Sequence, residues 1–291
     1  MLTAIRYSDN KKVIGALIEK DKDATYYCEY CEKEVIHHKS ESQLRVGHFK
    51  HKKGGSHCPN QTKETEWHYE TKYDIFNYIQ TNWGSKLEEL EVEKWICNNS
   101  IRPDIYIRTL KNKIAIEVQA TILTISEIKR RTVKYFKNGI SVMWILPFEF
   151  ERLHEYQRNR FKSSEYEDDW VWRERDKVRF KEMEIWLYWA YFKKLIFWDL
   201  KHKYSKEFIF TEFTEYKSDD VEFRRDGEEH FYYGKTAKTL KSVETIWYDI
   251  PFSKLTVSYS KEFEAPFRNY VIPERKIFTF DNRRRKNKYG R

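Results

Sequence analysis

The sequence is poor in residues that interrupt secondary structure, with 9 glycines and 6 prolines among 291 residues. Low-complexity and disordered segments are enriched in these residues, so we expect a chain that is folded over most of its length. That length allows one large domain or two to three smaller ones of about 100–150 residues each. Hydrophobic residues make up 40% of the chain and aromatic residues 17%, which is enough for a core beneath a densely charged surface.

Long apolar runs are also missing. The longest apolar stretch extends from Ile185 to Phe192 and is followed by two lysines, whereas a membrane-spanning helix needs roughly 20 apolar residues. The first residues lack the apolar segment of a secretory signal peptide. These absences predict a soluble, cytoplasmic protein that has no membrane partner, and the sequence identifies no protein partner.

Acidic residues are outnumbered by basic ones, with 46 Asp and Glu against 55 Lys and Arg, a net charge of +9. Lys and Arg contacts with phosphates release counterions, and this term supplies most sequence-independent affinity for nucleic acids. The charge therefore favours a polyanionic partner. Basic groups at 129–131 and in the tail at 283–291 can contact phosphates, or they can be solvated surface charge.

Four cysteines are too few for the disulfide scaffold of a secreted protein, and three of them lie close together. Structural zinc sites are closed and tetrahedral, and they are built from Cys and His. The predicted ligands of a structural Zn²⁺ are Cys28, Cys31, His51 and Cys58. His48 and His57 are alternatives for the fourth ligand. Ordinary thiols with surface histidines, or a redox-active thiol pair, are the alternatives to a metal site.

Hydrophobic periodicity predicts an alternation of helices and strands after residue 63. The predicted elements are a helix over 64–82, strands over 87–96, 101–108 and 114–120, a helix over 126–138, and a strand over 140–146. Ser126 is the predicted N-cap of the second helix, and Gly139 lies just past its end. Beyond 150 the pattern predicts a charged helical connector over 151–181, a helix over 183–191, a strand over 195–200, and a β-rich region rich in aromatic residues.

Carboxylates interrupt two of these strands. Asp104 opens one strand and Glu117 lies in the next, so a tight turn at 111–113 brings both to one end of a sheet. Glu117 and Gln119 are two residues apart and project from the same face. Mg²⁺ and Mn²⁺ prefer such oxygen ligands, and a bound ion can activate water against a phosphodiester. The pattern predicts a catalytic metal site, and a solvent-facing alternation is the alternative.

These residues in this order resemble the PD-(D/E)XK nuclease superfamily and, more narrowly, the competence protein CoiA-like nucleases. The matching segments are the Cys28/Cys31 knuckle, the His48–His51 segment, the helix that starts near Glu64 with His68 and Lys72, Arg102 to Asp104, Glu117 to Gln119, and 139–146. The resemblance covers about residues 25–146. It implies an α/β fold: a restriction-endonuclease-like PD-(D/E)XK core, a small N-terminal zinc-binding module and a C-terminal accessory region.

The resemblance also implies roles for individual residues. Asp104 and Glu117 bind the metal, and Gln119, which stands where a lysine is usual, orients water or phosphate. A nearby cation such as Lys72 or Lys113 can supply the missing charge. Glu64, His68 and Lys72 form one stripe of a helix. This stripe faces the site, with Glu64 or Glu66 as an outer metal ligand, or else it is a solvated face with intrahelical ion pairs.

We therefore predict three parts: a zinc-ribbon-like module over 1–62, a nuclease core over 63–150, and an α/β or β-rich accessory region with a basic tail over 151–291. The predicted function is metal-dependent hydrolysis of DNA, single-stranded DNA included, in the handling of incoming or foreign DNA during competence or defence. The cofactors are Mg²⁺ or Mn²⁺ for catalysis and Zn²⁺ for structure. The alternatives are a nucleic-acid-binding module with a degenerate, inactive nuclease fold, and a scaffold protein.

Overall fold

A computed structural model describes residues 1–39, 46–52, 58, 64–98, 100–148, 178–200, 207–215, 221–225, 227–232, 241–266 and 269–280. The predicted connector over 151–181 falls mostly outside these residues, as do His57 and the basic tail.

The described part is a mixed α/β structure. Its strands are Thr3–Arg6 (β1), Lys11–Ile14 (β2), Tyr26–Tyr27 (β3), Glu34–His38 (β4), His48–His51 (β5), Glu89–Val92 (β6), Ile105–Arg108 (β7), Lys113–Val118 (β8), Ile140–Pro147 (β9), Val178–Arg179 (β10), Lys194–Trp198 (β11), Phe208–Glu215 (β12), Val221–Arg225 (β13), Glu228–Tyr232 (β14), Lys241–Ile250 (β15), Thr256–Ser260 (β16), Phe263–Glu264 (β17), Val271–Ile272 (β18) and Arg275–Thr279 (β19). Its α-helices are Glu66–Trp83 (α1), Ile125–Lys137 (α2) and Glu182–Ala190 (α3).

The first five strands form one antiparallel sheet in the order β2-β1-β3-β4-β5. Strand alternation at the start of the chain predicts the hairpin of β1 and β2, and the register of Arg6 with Lys11 confirms it. The sheet has a small core of its own, which includes Tyr26, Val35 and Phe49. The cysteines Cys28 and Cys58 belong to this same cluster.

A second, ten-stranded sheet contains most of the remaining structure, in the order β10-β15-β12-β11-β9-β8-β7-β6, with β16 and β19 joined to it through β9. The strands β6, β7 and β8 are antiparallel neighbours, whereas β8 and β9 are parallel and are connected by α2. On its other edge β9 pairs in parallel with β11 at Leu146 and with β19 at Val142. This sheet therefore includes strands from both sides of residue 150, and the predicted division at that residue stays a prediction.

The strand β9 lies at the centre of the core. It is buried over seven of its eight residues, as expected for a parallel strand with neighbours on both edges. The helix α2 contacts β9, α3 contacts β11, and the two helices also contact each other. Every residue of α3 from 183 to 190 is buried. Trp144, Trp186 and Trp198 are among the largest fully buried side chains, so aromatic residues fill much of this core.

The predicted elements of the central part are confirmed in type and order; β6, β7 and β8 are shorter than predicted, and β9 is one residue longer. Thr65 caps α1, because its side chain accepts a hydrogen bond from the amide of His68. The prediction that Ser126 caps the second helix is wrong: the side chain of Thr124 accepts from the amide of Glu127, so Ser126 lies inside the first turn. Gly139 follows α2 with a φ of 71°, a left-handed conformation that favours glycine. Among the described residues, no helix is long and apolar enough to cross a membrane.

Candidate active site and cysteine cluster

Asp104 lies where α1, β7 and β8 meet. It immediately precedes β7, and its Oδ2 accepts a hydrogen bond of 2.8 Å from the amide of Val118 at the end of β8. The same oxygen is 3.3 Å from Nε2 of His68, which the first turn of α1 presents. One ligand atom each from Glu64, His68 and Asp104 lie within 4.8 Å of one another. The structure therefore brings these three predicted site residues together in a group that can hold a cation.

Lys72 lies beneath this group and is fully buried. Its Nζ is 3.0 Å from Glu64 Oε1, 2.5 Å from Glu93 Oε1 and 3.5 Å from Asp104 Oδ1. Burial lowers the pKa of Lys72, but the three carboxylates outweigh burial and raise it above its usual value. Lys72 therefore stays charged. Lys113, the alternative cation in the prediction, is exposed at the opposite end of β8 from Val118.

Glu93 joins this ionic cluster to the first sheet, and the sequence did not single it out. Its carboxylate accepts hydrogen bonds from the amides of Leu2 and Thr3, and it also contacts Lys72 and Arg102. Burial raises the pKa of Glu93, but Arg102 and Lys72 outweigh burial and hold it well below its usual value. The first strand is thus anchored to the site through a buried ionised carboxylate.

Glu117 lies on β8 and is held by two residues of α2. Its Oε2 accepts a 2.7 Å hydrogen bond from Arg131, and its Oε1 accepts a short one from the hydroxyl of Tyr135. Burial raises the pKa of Glu117 to about 7; Arg131 opposes this shift and the charge of Asp104 adds to it. Asp104 and Glu117 line the same cavity, but their carboxylates have different partners.

Gln119 follows β8 and also lines this cavity. Its amide nitrogen donates to the carbonyl oxygen of Thr121 and lies 3.2 Å from the Thr121 hydroxyl. The side chain is therefore fixed by the loop that follows the strand. Its amide oxygen is the part of the group that can accept a hydrogen bond from a ligand.

The imidazole of His68 is strongly influenced by its acidic neighbours. Burial lowers the pKa of His68, but the carboxylates of Asp104 and Glu64 raise it to about 9. At neutral pH without a metal the ring is therefore an imidazolium that bridges two carboxylates. Because a metal binds the neutral ring, occupation of this group by a cation must release a proton.

A cavity of about 500 Å³ opens over these residues. Its lining includes the carboxylates of Glu64, Asp104 and Glu117, and α2 contributes a basic wall of Arg130, Arg131 and Lys134, together with Glu127. Arg130 is 60% exposed although it is paired with Glu127. An acidic group that can hold a divalent cation, next to a basic wall, is chemically suited to a phosphate ester.

The cysteine cluster lies in the first sheet. Cys28 and Cys31 lie on the turn between β3 and β4, and His51 ends β5. With Cys58 they offer four ligand atoms within 4.8 Å of one another. The sulfurs of Cys28 and Cys58 are 3.9 Å apart, against about 3.8 Å for two thiolates on a tetrahedral ion at 2.3 Å. The donor set fits a zinc ion.

The alternative ligand His48 has other contacts. Its ring stacks between those of His38 and Tyr69, at centroid distances of 5.7 and 4.7 Å. Its Nδ1 lies 3.0 Å from the carbonyl oxygen of Val46. His51, in contrast, points Nε2 at the sulfur of Cys31 at 3.3 Å. Burial lowers the pKa of His51, which favours the neutral ring that binds metals.

Comparisons with known proteins place the site in a recognised stretch of sequence. The family model described as competence protein CoiA, nuclease-like domain, matches residues 64–228, more than half of the chain. Competence protein CoiA of Bacillus subtilis (strain 168) is 24% identical over 135 residues, which are 45% of this chain and 33% of that relative. The chain thus spans about a third of the length of this relative. No solved structure matches.

Proposed function

This chain belongs to the family of the competence protein CoiA nuclease-like domain, and from that membership we propose that it hydrolyses DNA phosphodiester bonds with a divalent metal ion. One observation carries this proposal: Glu64, His68 and Asp104 converge within 4.8 Å at a cavity that Glu117 also lines. The relative is named a competence protein. We therefore assign the activity to incoming or foreign DNA, in competence or defence.

Asp104 and Glu117 are the proposed ligands of Mg²⁺ or Mn²⁺, with Glu64 and His68 beside them. When bound, such an ion polarises the phosphodiester and lowers the pKa of an attacking water. The positive charge of Lys72 compensates the negative charges of Glu64 and Asp104. Lys72 would thus supply the charge that is missing because position 119 is a glutamine rather than the usual lysine. Gln119 orients water or phosphate through its amide oxygen.

The protein's own groups also set a pH requirement and offer contacts for phosphate. With a pKa of about 7, Glu117 is partly protonated at neutral pH, and it must lose this proton to coordinate the ion. The basic side chains of α2, Arg130 and Lys134, lie where the flanking phosphates of a bound strand would pass. The acidic group would hold the metal ion, and the basic side chains of α2 would contact the phosphates of a DNA strand.

For the architecture we propose a PD-(D/E)XK-like core formed by α1, β6 to β9 and α2, with the first sheet as a zinc-ribbon-like module. Cys28, Cys31, His51 and Cys58 would hold a structural Zn²⁺ there. The three parts 1–62, 63–150 and 151–291 stay our proposed division, although the large sheet extends beyond the second.

A second function is a nucleic-acid-binding module without catalysis. Two observations favour it: Gln119 stands in place of a lysine, and Glu117 is already engaged by Arg131 and Tyr135. Binding would then use the same cavity and the same basic wall. The two functions differ in whether the bound DNA is cut.

The test is cleavage of linear, circular and single-stranded DNA by the full chain with Mg²⁺, with Mn²⁺ and with neither. Omission and re-addition of these ions is preferable to a chelator, because a chelator can also remove structural zinc. We expect cutting that depends on the added ion and is lost in Asp104→Asn. The control is Asp9→Asn, which changes an exposed carboxylate paired with Arg6 in the first sheet.

Each outcome separates the candidates. Salt-sensitive DNA binding without cutting under all these conditions favours the inactive module. Cutting that survives Asp104→Asn refutes the assignment of the site. Absence of both cutting and salt-sensitive binding favours the scaffold alternative.

A further inference from the structure

Two aromatic rings from distant parts of the chain meet beside the cavity. Tyr30 lies on the turn between Cys28 and Cys31, and its side chain is 46% exposed. Its ring stacks on Trp95, with centroids 5.0 Å apart and planes inclined by 31°. Trp95 lies in the loop after β6 and lines the cavity that holds the acidic group. We call this pair the aromatic platform.

The platform is not part of a hydrophobic core. Neither ring belongs to the two core clusters of the described residues. The indole Nε1 of Trp95 has no hydrogen-bond partner among those residues. The guanidinium of Arg102 lies 5.8 Å from the centroid of this ring, and Arg102 is itself fixed by Glu93. The platform is therefore held by stacking and by a cation rather than by core packing.

We propose that the aromatic platform stacks an unpaired base of a single-stranded DNA whose phosphate occupies the cavity. This inference rests on the proposed function and specifies its substrate class. Every base has a face that can stack on an aromatic ring, and single-strand binders use such rings next to a basic groove. In a duplex those faces are covered by neighbouring bases, so Tyr30 can engage only single strands or frayed ends.

Two features of the structure and one property of stacking support this occupant. Tyr30 contacts Trp95, which lines the cavity together with His68 and Asp104, so a base on Tyr30 belongs to a nucleotide close to the acidic group. Arg130 and Lys134 supply positive charge for the strand's phosphates. Stacking also needs no hydrogen bonds to particular bases, which suits DNA of arbitrary sequence.

The test measures binding of the full chain to three labelled ligands of equal length by fluorescence anisotropy, without added Mg²⁺ or Mn²⁺. The ligands are an oligothymidylate, an abasic strand with the same backbone, and a blunt duplex. We expect Tyr30→Ala to weaken binding of the oligothymidylate by about 5- to 150-fold. Binding of the abasic strand and of the duplex stays unchanged. Tyr30→Phe, which keeps the ring, binds like the wild type.

The matched control is Tyr7→Ala, which removes another exposed tyrosine of the first sheet. Trp95→Ala is a second variant that should lose the same base-dependent affinity. The inference is overturned if Tyr30→Ala binds the oligothymidylate like the wild type, if it weakens all three ligands equally, or if the wild type binds no single strand. Circular dichroism of the variants detects a loss of folding.

Failure of this inference and failure of the proposed function give different results. Base-dependent binding through Tyr30, in a protein that cuts nothing with either metal ion, supports the platform and defeats the nuclease. Metal-dependent cutting that requires Asp104 but proceeds equally on single strands and duplexes, in the wild type and in Tyr30→Ala, supports the nuclease and defeats the platform.

Discussion

Replacing Glu93 with glutamine removes a buried negative charge that contacts Lys72, Arg102 and the amides of Leu2 and Thr3. The side chain is 2% exposed, so solvent does not screen these contacts. Glutamine has nearly the same shape, and its amide oxygen can still accept from Leu2 and Thr3. The variant therefore tests the charge rather than the packing.

The expected loss of stability follows from the charges that are left behind. Breaking a buried ion pair costs about 3–5 kcal/mol, because the remaining charge stays desolvated. Lys72 keeps Glu64 at 3.0 Å and Asp104 at 3.5 Å, so the lower end applies. We expect Glu93→Gln to lower the free energy of unfolding by about 3 kcal/mol. Glu93→Ala should cost more, because two buried amides also lose their acceptor, at about 1–3 kcal/mol each.

The assay is urea unfolding at pH 7, followed by tryptophan fluorescence. The control is Glu34→Gln on β4, which changes an exposed glutamate paired with Lys52 at 2.5 Å. A surface pair of this kind contributes about 0–1 kcal/mol. If Glu93→Gln costs no more than Glu34→Gln, the ionic cluster does not stabilise the fold and our account of it is wrong.

Three further predictions concern the stability of the protein at low pH, its zinc content, and the pH dependence of cleavage. Since Arg102 and Lys72 outweigh burial and lower the pKa of Glu93, ionised Glu93 stabilises the fold above the unfolded-state pKa of about 4.3. Stability should fall as the pH drops below that value, and urea midpoints from pH 3 to 7 should show a smaller fall in Glu93→Gln. Cys58→Ser should reduce the zinc found by elemental analysis of protein purified without chelator, whereas Cys97→Ser should not; equal zinc in both excludes the cluster. Arg131→Met removes a charge that lowers the pKa of Glu117, so the low-pH limb of the cleavage rate should shift to higher pH, and an unshifted profile means that Glu117 ionisation does not limit the rate.

The order of helices and strands between 64 and 147 was predictable because its signals are local. Apolar residues recur at helical spacing in α1, and they dominate β8 and β9, apart from Lys113 and Glu117 in β8. Element ends were less predictable. Thr124 and Ser126 are both acceptable N-caps by type, and only the backbone geometry selects Thr124.

The acidic residues of the site and the stripe of α1 that contacts Asp104 were predictable, whereas Glu93 and the partners of Glu117 were not. Asp104 and Glu117 stand out because they interrupt apolar strands. Glu93 falls within the predicted strand over 87–96, but β6 ends at Val92 and the backbone of Glu93 is left-handed. Its role depends on contacts with Leu2 and Thr3, at the start of the other sheet. Arg131 and Tyr135 are four residues apart and so share one face of α2, a spacing that could have indicated a joint contact with Glu117.

The pairing of β19 with β9 ties the candidate site to the order in which the chain is synthesised. The family-model match ends at 228, but Ile277, far beyond it, completes the edge of β9 at Val142. Until a ribosome has released that segment, the edge at Val142 is an unpaired template for other strands. Closing such a long loop also slows folding. A fragment trimmed to 64–228 should therefore aggregate, and nascent chains should need protection until β19 is made.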